Sequence, residues 1–153
     1  MRYEQTRNIL QHLAPNYHRT VSHYYQEFAE EEGISPRVKL MLDYLIAHEQ
    51  HRALALGEFC REASRHVLDH WFRGLEREFP VAQPGLLDDS ACNDLDQLVK
   101  VAVAYKNELI GYFNHLLEHA SGRESVHLFT TLKTQEEKAM KRMIRHAQGL
   151  ADL

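Results

Sequence analysis

The residues with the most capacity for chemistry stand in four groups: His18 with Thr20; His48, Glu49, His51 and Arg52; Lys106 with Glu108; and Lys133 with Glu136 and Glu137. Each group interrupts a stretch whose apolar residues recur every three to four positions, the spacing of a helix with one inward face. The stretch over residues 42–59 (LDYLIAHEQHRALALGEF) is the clearest. Charges on the inward side of a helix are costly unless they are paired or bind a metal. Carboxylate and imidazole groups converging from facing helices are what iron or manganese favours. On that reading the candidate metal ligands are Glu49, Glu108, Glu136 and Glu137, with His18, His48 and His51 supplying imidazole. Tyr17, Tyr24, Tyr25, Tyr105 and Tyr112 would flank them. The chemistry would be activation of dioxygen or peroxide, or oxidation of iron. The competing reading is an ion-paired layer with no metal. Glu49 and Arg52 are three apart on one face, and Lys133 precedes Glu136 and Glu137 by three and four. Arg52, Lys106 and Lys133 could each neutralise a carboxylate, and permanent cations beside a dinuclear metal would repel it. The ion-paired layer leads, and iron or manganese is the alternative.

These groups need helices to hold them. Ile9, Leu13, Tyr17, Val21, Tyr24 and Phe28 mark one face of a first helix over residues 4–32, which Pro15 should kink or split. Gly33 suits its C-terminus. Ser35-Pro36 opens a second helix running to about Ser64, with Val38, Met41, Leu42, Leu45, Leu56, Phe59, Cys60 and Ala63 on its apolar positions. Residues 66–79 keep a helical pattern and predict a short extra helix or a bent extension, with Trp71 and Phe72 anchoring the crossover in the core. Residues 80–94 hold two prolines and a cluster of turn formers, the one long linker. Asp94 with Gln97 resembles a capping box for a third helix over residues 95–120. Its inward residues are Leu95, Leu98, Val99, Ala102, Leu109, Phe113, Leu116 and Leu117. Gly122 closes it. A fourth helix over about 123–149 turns Val126, Phe129, Met140, Met143, Ile144 and Ala147 inward. No strand, repeat or low-complexity segment is expected. The helix mid-points fall near residues 18, 50, 108 and 136, so the four polar groups share one level. A helix of about 28 residues spans about 42 Å, and a linker of about 15 residues reaches about 50 Å. The linker can therefore run back along the bundle and make the second and third helices parallel.

Helix pair, crossover, helix pair over nearly the whole chain resembles the ferritin-like superfamily in its smaller, rubrerythrin-type form. The resemblance implies an all-α, single-domain four-helix bundle with a long crossover between helices two and three. It also implies a two-iron site built from a carboxylate on the first and third helices and Glu-x-x-His on the second and fourth. Position by position the motif is degenerate. Glu49 is followed three residues on by Arg52, and Glu136 and Glu137 by Ala139 and Met140. Glu108 fits on the third helix, and His18 stands where the first helix should supply a Glu. The expectation is a bundle that has lost the standard di-iron site and acts as a binding, regulatory or structural module, as a homodimer, with no cofactor. The alternative is an iron or manganese oxidoreductase or iron-handling protein with altered ligands.

The remaining composition narrows the partners. A formal charge of −4 over 153 residues, without a Lys/Arg block, argues against nucleic acid. No apolar run is long enough to span a membrane, and the polar start MRYEQTRNIL lacks an apolar signal core, so a soluble cytoplasmic protein is expected. Cys60 and Cys92 have no metal or redox spacing and read as inert thiols. The 11 histidines are the unusual count. His66/His70 and His115/His119 are each four apart, and the crossover would gather them with His12 and His127 at one end of the bundle. The plain reading is a set of ordinary surface histidines; the alternatives are a grip on a transition metal or a surface sensitive to pH between about 6 and 7.

Overall fold

A computed structural model describes residues 2–153, apart from the side chains of Arg2, Ala14 and Pro15. A strand, β1 (Arg2–Gln5), leads directly into a first bundle helix made of three parts: α1 (Thr6–Gln11), a π-helical segment (His12–His18) and α2 (Arg19–Ala29). The second bundle helix, α3 (Pro36–Glu62), is followed by the short α4 (Arg65–Leu68) and a strand, β2 (Trp71–Leu75). A crossover over residues 76–94, with one 3-10 turn at Asp89–Ala91, then delivers the chain to α5 (Leu95–Glu118) and α6 (Arg123–Ala151).

The N-caps of α3 and α5 form where the sequence places them, and the two glycine stops do not. Ser35 Oγ accepts from the Val38 N–H at 3.3 Å with Pro36 in the first turn, and Asp94 accepts from the Asp96 and Gln97 N–H groups at 3.0 and 3.3 Å. The first helix stops at Ala29, with Glu30 as its C-cap, and α5 stops at Glu118, with His119 as its C-cap. Gly33 lies in the turn beyond and Gly122 is the N-cap of α6, at φ +82° and +93°, where any side chain would strain the backbone. Backbone contacts fix the helix directions. The Ser35 N–H donates to the Cys92 carbonyl at 2.9 Å, so α3 and α5 start at the same end and run parallel. Arg37 at that end bonds the Leu153 carbonyl, so α6 runs the other way. The Thr6 N–H donates to the His70 carbonyl at 2.9 Å, which puts the start of α1 at the far end of α3. The bundle with one long crossover, and a short extra helix before it, is the architecture the sequence leads one to expect.

Three local expectations are corrected. Residues 66–79 are not one helix: only Arg65–Leu68 is helical, and Trp71–Leu75 is a strand pairing antiparallel with β1 (Glu4 opposite Phe72, Gln5 opposite Trp71). The pairing joins segments more than sixty residues apart, so no local pattern signals it. Because a strand turns successive side chains to opposite faces, Phe72 is fully buried against Phe129, with ring centroids 5.4 Å apart, while Trp71 is 50% exposed. On the first helix Tyr25, not Tyr24, is the fully buried residue. Steps of four drift about 40° each on a regular α-helix, so Ile9, Leu13, Tyr17 and Val21 would wander about 120° around it. The π segment, with its wider turn and its proline, takes up that drift and leaves Tyr17 and His18 both buried. On α6, Val126 and Ile144 face out, and Leu128, Leu132 and Ala139 are buried in addition to Phe129, Met143 and Ala147.

Candidate functional site

One charged layer crosses the middle of the bundle, built from one to three residues of each long helix. The first helix supplies His18, just where the π segment returns to α-helix. Glu49 stands in the apolar run Leu42, Leu45, Glu49, Ala53, Leu56 of α3, Lys106 in the run Ala102, Lys106, Leu109, Phe113 of α5, and Glu136 in the run Leu132, Glu136, Ala139, Met143 of α6. All of these side chains are buried. Spacings of three and four put each charge on the inward face of its helix.

At the centre is the Lys106 ammonium. Its Nζ lies 2.9 Å from Glu49 Oε1, 2.7 Å from Glu136 Oε2 and 2.9 Å from His48 Nε2. An ammonium has three N–H donors and no acceptor, so its whole donor capacity is answered. The other carboxylate oxygens are also taken. Glu49 Oε2 accepts from His18 Nδ1 at 2.5 Å, which makes Nδ1 the protonated nitrogen, and Glu136 Oε1 accepts from Arg52 Nε at 3.1 Å. His18 Nε2 lies 3.8 Å from the same Glu136 oxygen, and it and Arg52 Nη2 are buried without a hydrogen-bond partner.

The charges hold one another in the ionised state. Burial alone would push the Glu49 carboxyl up, but the Lys106 ammonium and the His18 imidazole outweigh it and hold Glu49 well below the usual carboxylate range. Burial likewise opposes ionisation of Glu136, and Lys106, His18 and Arg52 overcome it, so its pKa is lowered. Lys106 would lose its proton more readily on burial alone; the two carboxylates reverse this and raise its pKa. His48 is lowered to about 4, by burial and then by the Lys106 charge. It is therefore neutral at pH 7 and free to accept from the ammonium. Tyrosines close the layer at its edge. Tyr17 Oη donates to the Tyr105 carbonyl at 2.9 Å, and Tyr105 Oη donates to the Gln83 carbonyl at 3.0 Å, tying the layer to the crossover. Burial, followed by nearby Glu108 and Glu49, pushes the Tyr17 phenol far above its ordinary value.

Of the seven candidate ligands, the structure brings together His18, His48, Glu49 and Glu136. Glu108 is half-buried beside Tyr17 and Tyr105, Glu137 is half-buried on the flank of α6, and His51 is exposed. Arg52 pairs across to Glu136 instead of with Glu49 on its own helix. The residue that sequence reasoning undervalued is Lys106. Its place in the series Ala102, Lys106, Leu109, Phe113 was the signal that it, and not Glu108, points inward. A bridging dinuclear metal requires free carboxylate oxygens. Here all four oxygens of Glu49 and Glu136 hold an N–H donor, and the ammonium occupies the space between the carboxylates. This donor set does not fit a di-iron centre.

The histidines foreseen at one end do gather there, in separate settings. His12 stacks on Phe79 with centroids 4.4 Å apart. His66 faces Glu124 at 3.6 Å. His127 is exposed on α6, beside Phe59 and Val67. His115, Glu118 and His119 bring ligand atoms within 4.8 Å of one another. The His115 Nε2 lone pair is already engaged, accepting from the Glu76 and Arg77 N–H groups at 3.2 Å each. His115 is thus an anchor for the chain leaving β2, and burial, with His119 and Arg77 nearby, lowers its pKa. Cys60 and Cys92 are both free thiols. Among the described residues no helix is long and apolar enough to cross a membrane.

No protein-family model matches the chain, and no curated protein matches it. Among solved structures it is similar to a protein of Thermotoga maritima described as a ferritin-like diiron-carboxylate protein, at 14% identity, with a TM-score of 0.64 and 97% of each chain covered. Identity this low carries the architecture and leaves the chemistry to this chain's own residues. With the parallel α3 and α5, the long crossover and the polar layer at mid-bundle, the chain has a ferritin-like fold.

Proposed function

We propose that this ferritin-like bundle holds its mid-bundle layer together with an internal ammonium in place of metal, and that it acts as a binding, regulatory or structural module with no redox chemistry of its own. One observation carries the reading: Lys106 Nζ lies within 2.9 Å of both Glu49 and Glu136 and answers the carboxylates that would otherwise bind a cation. A side-chain cation is always present and needs no loading, so the layer is complete as soon as the chain folds. The reading is tested by elemental analysis of untagged protein made in iron- and manganese-supplemented medium. The expected result is metal far below one equivalent per chain. Near-stoichiometric iron or manganese, lost in Glu49→Ala, would overturn it. The rival reading, an iron or manganese oxidoreductase or iron-handling protein, draws on the description of the structural neighbour. It requires the Lys106 ammonium to leave its three acceptors. Homodimerisation through a helix face belongs to the same proposal. Leu40 and Leu54, 50% and 63% exposed on α3, are the residues it would cover, and sedimentation equilibrium measures it.

A further inference from the structure

A cleft lies at the histidine-rich end, beside β2, away from the charged layer. Its volume is about 810 Å3, within the range of small-molecule sites. Its walls carry Arg65, His66, His70, Trp71, Arg73 and His119. On a chain of net charge −4 this is a local concentration of cationic and imidazole groups. Asp69 is the one carboxylate in the wall, and Arg7 holds it at 2.6 Å. Among the described residues no carboxylate lies within ion-pair distance of Arg65 or Arg73, and both are exposed. Two guanidiniums without a partner, opening on one cleft, suit an anion that takes several N–H donors at once, above all a phosphate.

The imidazoles are arranged to help. His119 Nδ1 is committed to the His115 carbonyl at 3.0 Å, which leaves Nε2 available. His70 stands edge-on to Phe72, with centroids 5.2 Å apart, and its Nε2 is buried with no hydrogen-bond partner. Strand pairing decides the remaining feature. With Phe72 turned into the core, its neighbours Trp71 and Arg73 both face out, so a half-exposed indole stands two residues from a guanidinium on the same strand face. An exposed indole beside unpaired arginines is a surface for a planar ring attached to an anion.

We infer that this cleft binds a phosphorylated aromatic small molecule of the nucleoside-phosphate kind, with Arg65 and Arg73 on the phosphate and Trp71 stacked on the ring. Trp71 is the only tryptophan of the chain, so its fluorescence reports on the cleft alone. The test titrates the full chain with AMP, adenosine and inorganic phosphate separately, exciting at the red edge of indole absorption, where adenine does not absorb. AMP is expected to give a saturable change, with either fragment alone at least about tenfold weaker. The double substitution Arg65→Ala/Arg73→Ala is expected to weaken AMP at least about tenfold with an unchanged circular dichroism spectrum, since both side chains are exposed; each tenfold step is about 1.4 kcal/mol. No saturable change with AMP would overturn the inference. So would equal affinity for adenosine or phosphate alone, or AMP binding that survives the double substitution. The readout is independent of metal content, so its failure and the failure of the metal-free reading are distinguishable.

Discussion

In the mid-bundle layer, two cations meet two carboxylates at 2.7 to 3.1 Å, in a buried setting, with a neutral imidazole completing the ammonium. Beside β2, two guanidiniums face an open cleft, and the one carboxylate in its wall, Asp69, is held by a third arginine. Both regions interrupt apolar patterns and both are rich in histidine, so sequence composition does not tell them apart. The difference lies in where each charge finds its partner. A buried charge whose partners belong to the chain is part of the fold and must be answered before the core closes. An exposed charge without a partner contributes little to the fold and is open to a ligand. Polar residues on a bundle therefore need to be classed by satisfaction before they are classed by chemistry.

The largest effect that would break this contrast comes from Lys106→Met. It removes the ammonium and leaves Glu49 and Glu136 facing each other across the layer. Unpairing a buried ion pair costs about 3–5 kcal/mol, read as a loss in urea unfolding free energy. The second substitution in Lys106→Met/Glu49→Gln should recover part of that loss, because it removes one uncompensated charge. If Lys106→Met alone is neutral, the layer is not held by the ammonium, and the metal reading regains its footing.

Next in size is the acid dependence. Glu49 and Glu136 have folded pKa values below the ordinary 4.5, so the folded state binds fewer protons than the unfolded chain. Their contribution is fully present above about pH 4.5 and is lost as pH falls toward the lower folded values. His48 acts earlier with the same sign. Its value drops from 6.5 to about 4, so stability should fall as pH is lowered through that window, where the unfolded imidazole takes a proton that the folded one refuses. His48→Gln, whose Oε1 can accept from Lys106, should flatten the upper part of the decline and leave the part below about pH 4.5 intact. Denaturation series across pH on both proteins measure the two limbs separately.

Sequence periodicity and caps were enough to place α3, α5, α6 and the crossover, because their signals are local: Ser35-Pro36, Asp94 and the glycines at 33 and 122. The level of the charged layer was legible for the same reason. The composition of the layer was not fully legible. Lys106 and Glu108 lie two residues apart, and only one can face inward. A search guided by carboxylates selects Glu108, whereas the apolar spacing on either side selects Lys106. The β1–β2 pair was hidden because its hydrogen bonds join distant segments, and WFRGL reads equally well as helix. With the strand went the orientation of Trp71, and so the cleft. The π segment shows a third kind of failure: a proline in a helical pattern predicts a kink, but the choice of Tyr25 over Tyr24 depends on how many residues the widened turn absorbs.

A smaller effect tests the boundary between the two regions. His115 is buried like the layer residues but belongs to the histidine-rich end, where its Nε2 accepts from the Glu76 and Arg77 N–H groups. His115→Ala should cost about 1–3 kcal/mol, the range for leaving buried donors without a partner. It should also raise amide exchange at Glu76 and Arg77 ahead of the helices. Exchange that rises uniformly over the bundle would show that His115 supports the core as a whole and does not anchor the crossover in particular.

The smallest expected effect is the most diagnostic. Arg65→Ala and Arg73→Ala remove the same kind of charge as Lys106→Met, but from side chains that no carboxylate holds among the described residues. Each should change unfolding free energy by no more than about 0.5 kcal/mol, as for surface substitutions away from special features. Removing one of two like charges that repel across a cleft would even favour the fold slightly. A loss approaching that of Lys106→Met would mean the guanidiniums are structural after all. A near-zero value beside the large cost at Lys106 would place the two sets of cations in separate roles, one closing the bundle and the other left open at its end.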